Sequence, residues 1–165
     1  PYGLSKYLHL SSTHKFPRVV SVQNPYSLIN RTYEAGMAEM SVREKVGLLA
    51  YSPLAFGMLT GKYLNGQMPE GSRLKLYSKN FPRYQGTRSQ LAVEEYYKIA
   101  QKYEMSLTQM SLAFVNMQPF VDSNIIGATN MKQLEENIDS VHIDLSDEIV
   151  KDINAIHENN PSPAP

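Results

Sequence analysis

Only three stretches of this chain read as strands, and sequence with helical patterning separates each from the next. Residues 19–24 (VVSVQN) are β-branched and stop at Pro25. Residues 46–51 (VGLLAY) form an unbroken apolar run ending at Ser52 and Pro53, and residues 124–127 (NIIG) are the third candidate. Unbroken apolar strands suit a parallel sheet buried on both faces. Their alternation with helices predicts an α/β fold. Three parallel strands leave two open edges, and no Gly-rich first turn of a doubly wound sheet is present. A part of a (β/α)8 barrel fits the pattern better, since a complete one needs roughly 250 residues.

Helical signals fill the intervals. Residues 2–14 place Leu4, Tyr7 and Leu8 on one face. Asn30 is positioned to cap a helix reaching about residue 40. Thr87 with Gln90, Ser106 with Gln109, and Asn130 with Gln133 each resemble a capping box. The second of these precedes a stripe of Leu107, Met110, Phe114 and Met117, the third one of Met131, Leu134, Ile138 and Val141. A last helix starts at Ser146, with Leu145 and Val150 spaced as a hydrophobic staple, and carries Ile149, Ile153 and Ile156. Residues 1–160 therefore read as one unit and 161–165 (PSPAP) as a Pro-rich tail. Residues 52–88 lack periodicity and are rich in Gly and Pro, so a long loop is expected.

Composition narrows the chemistry. A chain of 165 residues with 42% hydrophobic side chains supports a real core. Sixteen Lys and Arg balance sixteen Asp and Glu, which disfavours a nucleic-acid partner. No run of about 18 apolar residues exists, so no membrane helix is expected, and no signal-peptide pattern opens the chain. The absence of cysteine excludes disulfides, thiol catalysis and Cys-bound metal. His9, His14, His142 and His157 show no metal-ligand spacing. The expectation is a cytoplasmic chain without a metal site. It opens on Pro1 without an initiator Met, which reads as the middle of something longer, although processing would also produce such a start.

In parallel α/β proteins the functional face lies beyond the C-terminal strand ends. Here those ends bring together the Gln23 amide, the Tyr51 ring with residues 52–57, and a helix start at Thr129 and Asn130. Such a mouth suits a flat amide-bearing ring and a phosphate. Each element also has an ordinary role: a solvated amide, a lining aromatic, a helix cap. Gly57 to Tyr63 (GMLTGKY) is one residue short of a Walker A loop and has Tyr63 where a hydroxyl residue is needed. No G-x-G-x-x-G is present.

Three motifs in order, VQNPYSLINR, LLAYSPLAFGMLTGKY and IIGATNMKQLEENI, resemble the C-terminal half of an aldo-keto reductase. The likeness runs from Tyr2 to the tail and is greatest to the bacterial Tas-like reductases and the β-subunits of voltage-gated potassium channels. The resemblance implies the last three strands of a (β/α)8 barrel with their helices, preceded by one helix. It also implies NADPH as cofactor and reduction of a small aldehyde or ketone by hydride transfer. Gln23 matches the residue that holds the nicotinamide carboxamide, and Tyr51 the aromatic that stacks on the ring. Ser52, Pro53, Leu54, Ala55 and Gly57 match the stretch along the pyrophosphate. Lys62 matches a phosphate contact and Arg73 the arginine at the 2′-phosphate. Gly127, Thr129 and Gln133 match the adenosine-phosphate lining, Glu136 and Asn137 the adenine contacts. The 52–88 loop would then be a lid over the cofactor.

The family's catalytic Asp, Tyr, Lys and His all come from the first half of the barrel, as does a Ser-Asn pair at the carboxamide, and nothing here matches them. No catalytic residue is therefore assigned, and the chain alone is expected to be a very poor reductase. Three readings follow: a piece of an NADPH-dependent aldo-keto reductase, a self-associating half-barrel without reductase activity, or a regulatory module like the channel β-subunits. In each, the missing N-terminal half or another copy must cover the open edges and apolar residues such as Val20, Val22 and Leu48, expected to face the barrel interior.

Overall fold

The strand β2, Gly47–Tyr51, runs parallel to β1, Ser21–Pro25, on one side and to β3, Val121–Ile125, on the other. The computed structural model describes residues 1–77 and 79–165. Around the sheet lie α1 (Tyr2–His14), α2 (Met37–Glu44), α3 (Arg73–Tyr77), α4 (Thr87–Lys102), α5 (Leu107–Asn116), α6 (Met131–Asp139) and α7 (Asp147–Asn159). The result is an α/β fold with a parallel three-stranded sheet. No helix among the described residues is long and apolar enough to cross a membrane.

One face of β2 makes the core. Leu48 and Ala50 are fully buried and share it with Tyr26, Ile29, Phe114, Val115 and Phe120. The Tyr26 and Phe120 rings meet edge to face, 5.3 Å apart. Side chains alternate along a strand, so Leu49 and Tyr51 point the other way, in register with Gln23, Ser123 and Ile125. That second face is exposed at Gln23 and Ser123 and only half-covered at Leu49 and Tyr51. The expectation that Leu48 and Val22 face a barrel interior is therefore corrected: Leu48 lies in the core and Val22 packs against it. Val20, just before β1, is exposed.

β3 starts three residues earlier than its apolar letters suggest. Of its polar residues, Ser123 lies on the open face opposite Leu49, while Asn124 is half-buried, pairs with Ala50 and donates to Asn116 of α5. The pairing shifts between Leu48, opposite Val121, and Leu49, opposite Ser123, which leaves Asp122 as the extra residue of a bulge. A Cβ at Gly47 would lie 1.8 Å from Asp122 Oδ2. Only glycine lets the acidic side chain lie there.

Helix starts divide by chemistry. Ser106, Asn130 and Ser146 accept from the backbone N–H three residues on, at 3.5, 3.0 and 3.4 Å. Thr87 does not cap: it is already helical, Gly86 precedes it, and Gln90 donates instead to the Gln85 carbonyl. Asn30 also fails to start the expected helix. Its Oδ1 accepts from Thr32 N and Oγ1, which makes a turn. Gly36 at φ 94° then delays α2 until Met37.

Two segments are more ordered than their sequences suggest. The 52–88 stretch forms short 3-10 turns and α3, and it buries Ala55, Met58, Leu59, Tyr63, Leu74 and Tyr84. The last residues cannot continue α7, yet they are packed: Ala164 is fully buried and its N–H donates to the Ile29 carbonyl at 3.0 Å. Ser162 Oγ accepts from Arg31 N, and Ser89 Oγ donates to the Pro163 carbonyl. By contrast the expected stripe on α6 faces outward, with Met131, Ile138 and Val141 exposed, as are Tyr7 on α1 and Met117 after α5.

Candidate functional site

A cavity of about 620 Å³ opens beyond the C-terminal ends of β2 and β3, the position where parallel α/β folds bind ligands. One wall is Tyr51, at the end of β2, followed by Ser52, Pro53, Leu54 and Gly57; Lys62 and Arg73 continue it. The opposite wall is Gly127, Thr129, Gln133, Glu136 and Asn137, from the loop after β3 and the exposed start of α6. Of the residues matched to cofactor contacts, only Gln23 and Ala55 do not line this cavity; nor does Asn130, expected at the mouth as a helix start. Gln23 sits in mid-strand opposite Leu49, on the open face that also carries Tyr51. Ala55 is fully buried beneath the turn. Thr60, Ser72, Ser106 and Thr108 line the cavity without having been expected there, and Phe56, which also lines it, was expected only as part of the run 52–57, with no role of its own. Ser106 was legible only as a helix cap, Phe56 and Thr60 only as unassigned letters of the LLAYSPLAFGMLTGKY motif, and no motif marks Ser72 or Thr108.

The turn after β2 is tight. Ser52, Ala55 and Phe56 adopt left-handed φ of 55°, 49° and 60°, and Gly57 lies at 95°. Non-glycine residues in this region cost roughly 1–2 kcal/mol each, and such strain clusters at ligand sites. A Cβ at Gly57 would lie 2.9 Å from Lys62 Cε and 3.0 Å from Nζ, so the bare α-carbon lets the ammonium fold against the cavity wall. On the same wall, Arg73 lies with its Cζ 5.5 Å from the centre of the Phe56 ring. Its Nη2 is 3.7 Å from where a Gly127 Cβ would stand, which carries the guanidinium across to the opposite wall.

Neither Lys62 nor Arg73 is in an ion pair among the described residues. The one acidic residue lining the cavity, Glu136, accepts from Ser106 Oγ at 2.5 Å. Ser72 Oγ, buried between Gly71 and Arg73, has no hydrogen-bond partner among the described residues. At the start of α6, Gln133 Oε1 accepts from both Thr129 N and Thr129 Oγ1 at 2.9 Å. Behind Gln133, the Asn137 carboxamide is buried and donates to the Gly127 carbonyl. Beside the cavity, burial pushes the Tyr84 phenol up from its ordinary value, opposed by the Arg83 charge and a hydrogen bond with Ser52. The chemistry is that of an anion-accepting groove with an aromatic at one end and amides at the other. No histidine lines it, and no cluster of metal-ligating side chains exists among the described residues.

Comparison with known proteins places this geometry in context. The chain is 51% identical over 164 residues to Protein tas of Escherichia coli (strain K12), which covers 99% of this chain and 47% of that protein. It is 35% identical to an aldo-keto reductase of Babesia bovis, covering 95% of this chain and 58% of the relative. To the L-glyceraldehyde 3-phosphate reductase of Escherichia coli (strain K12) it is 31% identical, over 86% of this chain and 42% of that enzyme. The chain thus spans about half the length of the curated relatives it matches. Residues 2–158 match the family model described as the Aldo/keto reductase family. With identity at this level across nearly the whole chain, the 165-residue chain belongs to the aldo/keto reductase family.

Proposed function

We propose that this chain is the C-terminal, cofactor-holding half of an NADPH-dependent aldo-keto reductase, with the proton-donating machinery supplied by sequence outside it. The observation that carries the reading is one cavity shared by an aromatic strand end, two cations in no ion pair among the described residues, and an amide-rich helix start. The buried, unpartnered Ser72 hydroxyl fits the same polyanionic guest. Tyr51 offers a ring face to a nicotinamide, and the backbone from Ser52 to Gly57 lies along a pyrophosphate. Lys62 and Arg73 meet phosphates, Arg73 the 2′-phosphate, because a planar guanidinium binds such a group bidentately. Gly127, Thr129 and Gln133 line the adenosine phosphate, while Glu136 and Asn137 read the adenine. The Gln133 amide exchanges its bond to Thr129 when a ligand enters. Ala55 contributes only through backbone, and Gln23 reaches a carboxamide from the open sheet face. When bound, NADPH supplies the hydride that reduces an aldehyde or ketone.

Calorimetric titration of the chain with NADPH and NADH tests this reading. Arg73→Ala should weaken NADPH more than NADH; equal losses would move the 2′-phosphate contact elsewhere. Aldehyde-dependent NADPH oxidation by the purified chain should be absent, and robust turnover would sink the assignment of catalysis to residues outside it.

A second reading has its own support. The open sheet face at Gln23, Leu49, Tyr51 and Ile125, with exposed Tyr7, Val20 and Val141, suits self-association of a half-barrel without reductase activity.

A further inference from the structure

We propose that Phe56 is a positioning residue that sets the cofactor preference of the cavity through Arg73. This rests on the cofactor reading above and goes beyond it to the control of selectivity. Phe56 is half-buried and held in the left-handed region at φ 60°, an unusual conformation for a bulky side chain. Its ring is fixed from the protein side: the Phe81 ring lies 4.0 Å away, and the Tyr84 ring is parallel to within 5° at 6.0 Å. The Arg73 guanidinium lies over that same ring. Arg73 is exposed, springs from a five-residue helix and forms no ion pair among the described residues. A long side chain without such a support loses rotamer freedom when it grips an anion. The aromatic stack removes much of that cost beforehand and aims the guanidinium at the wall formed by Gly127. The face of the ring, not its bulk alone, is what an arginine needs. Selectivity for a 2′-phosphorylated dinucleotide therefore depends on a residue that need not touch the phosphate.

The test is calorimetric binding of NADP⁺ and NAD⁺ to the 165-residue chain and to four variants. Phe56→Leu keeps apolar bulk against Phe81 but removes the π face. It should lower the NADP⁺-over-NAD⁺ affinity ratio roughly three- to tenfold, and Phe56→Tyr should restore it. Arg73→Ala should lower the ratio at least as far, and the Phe56→Leu, Arg73→Ala double variant no further. Circular dichroism confirms folding of each. A ratio unchanged in Phe56→Leu but lowered in Arg73→Ala overturns the positioning role and leaves the cofactor reading standing. Equal weakening of both dinucleotides, or additive effects in the double variant, also overturns it, because a merely structural role predicts those results. A folded wild-type chain that binds neither dinucleotide overturns the cofactor reading and this inference together.

Discussion

Asn137 donates its buried side-chain N–H to the Gly127 carbonyl, 3.3 Å away, tying α6 back onto the loop that leaves β3. The bond belongs to a longer series. Asn124 donates to Asn116 Oδ1 at 2.9 Å, Asn116 donates to Ser140 Oγ at 3.3 Å, and Ser140 donates to the Asn137 carbonyl at 2.6 Å. Asn137→Ala would leave the Gly127 carbonyl without this partner. A loss of about 1–3 kcal/mol is expected in urea unfolding. Wild-type stability in that variant would show that the Gly127 loop is held by other means.

The packed C-terminal segment makes a second prediction. Ala164 has no exposed surface and lies in the core cluster, bonded to Ile29. Ala164→Glu places a carboxylate where no water can reach it. The chain should lose more than about 2 kcal/mol or expel residues 161–165 from their site. Urea titration with limited proteolysis distinguishes these outcomes, and an unaffected, protease-resistant variant would contradict the packing.

Self-association is expected of the isolated chain. The sheet face at Leu49, Tyr51 and Ile125 is only partly covered, and both flanks expose apolar residues, Tyr7 and Val20 on one and Met131, Ile138 and Val141 on the other. Patches of this kind are covered in stable proteins. Light scattering should read at least twice the monomer mass at micromolar concentration. Tyr7→Lys with Val141→Lys should shift the population toward monomer. A compact, stable wild-type monomer would refute the expectation.

His157 makes stability depend on pH. Its Nδ1 is buried without a hydrogen-bond partner among the described residues, and burial, then the Arg31 charge, lower its pKa from the ordinary value. The unfolded chain therefore takes up the proton first as pH falls, beginning near an ordinary histidine pKa of about 6.5. Stability is fully present above that value and is lost on acidification toward the folded pKa. Urea midpoints measured between about pH 7.5 and 5.5, above the carboxylate range, should fall with pH. The slope should flatten in His157→Gln; an identical slope in that variant would assign it to another group.

Much of the site was legible before the fold. The order of strand ends and helix starts in the sequence already gathers Tyr51, Lys62, Arg73 and residues 127–137, because strand direction dictates where each loop emerges. Asn130 and Ser146 announce their helices because a cap is a local interaction within four residues. Thr87 and Asn30 mislead for the same reason: local chemistry offered two outcomes, and Gly86 and Gly36 decided between them. Phe56 was legible only as part of the run after β2, not as a support for Arg73. Its role depends on the Arg73, Phe81 and Tyr84 side chains, each at least 17 positions along the chain, being brought against one ring.

By itself, the sequence determined the α/β alternation, the family and the polar character of the cavity walls, since these follow from residue type, order and short-range spacing. Tertiary structure alone decided which face of the sheet is covered, where β3 begins, and that residues 161–165 are packed. A strand's two faces differ by what packs on them, so Leu48 and Leu49 read alike in the sequence and part only when helices bury one of them. Burial is a property of the assembled chain, settled by contacts between residues far apart in sequence.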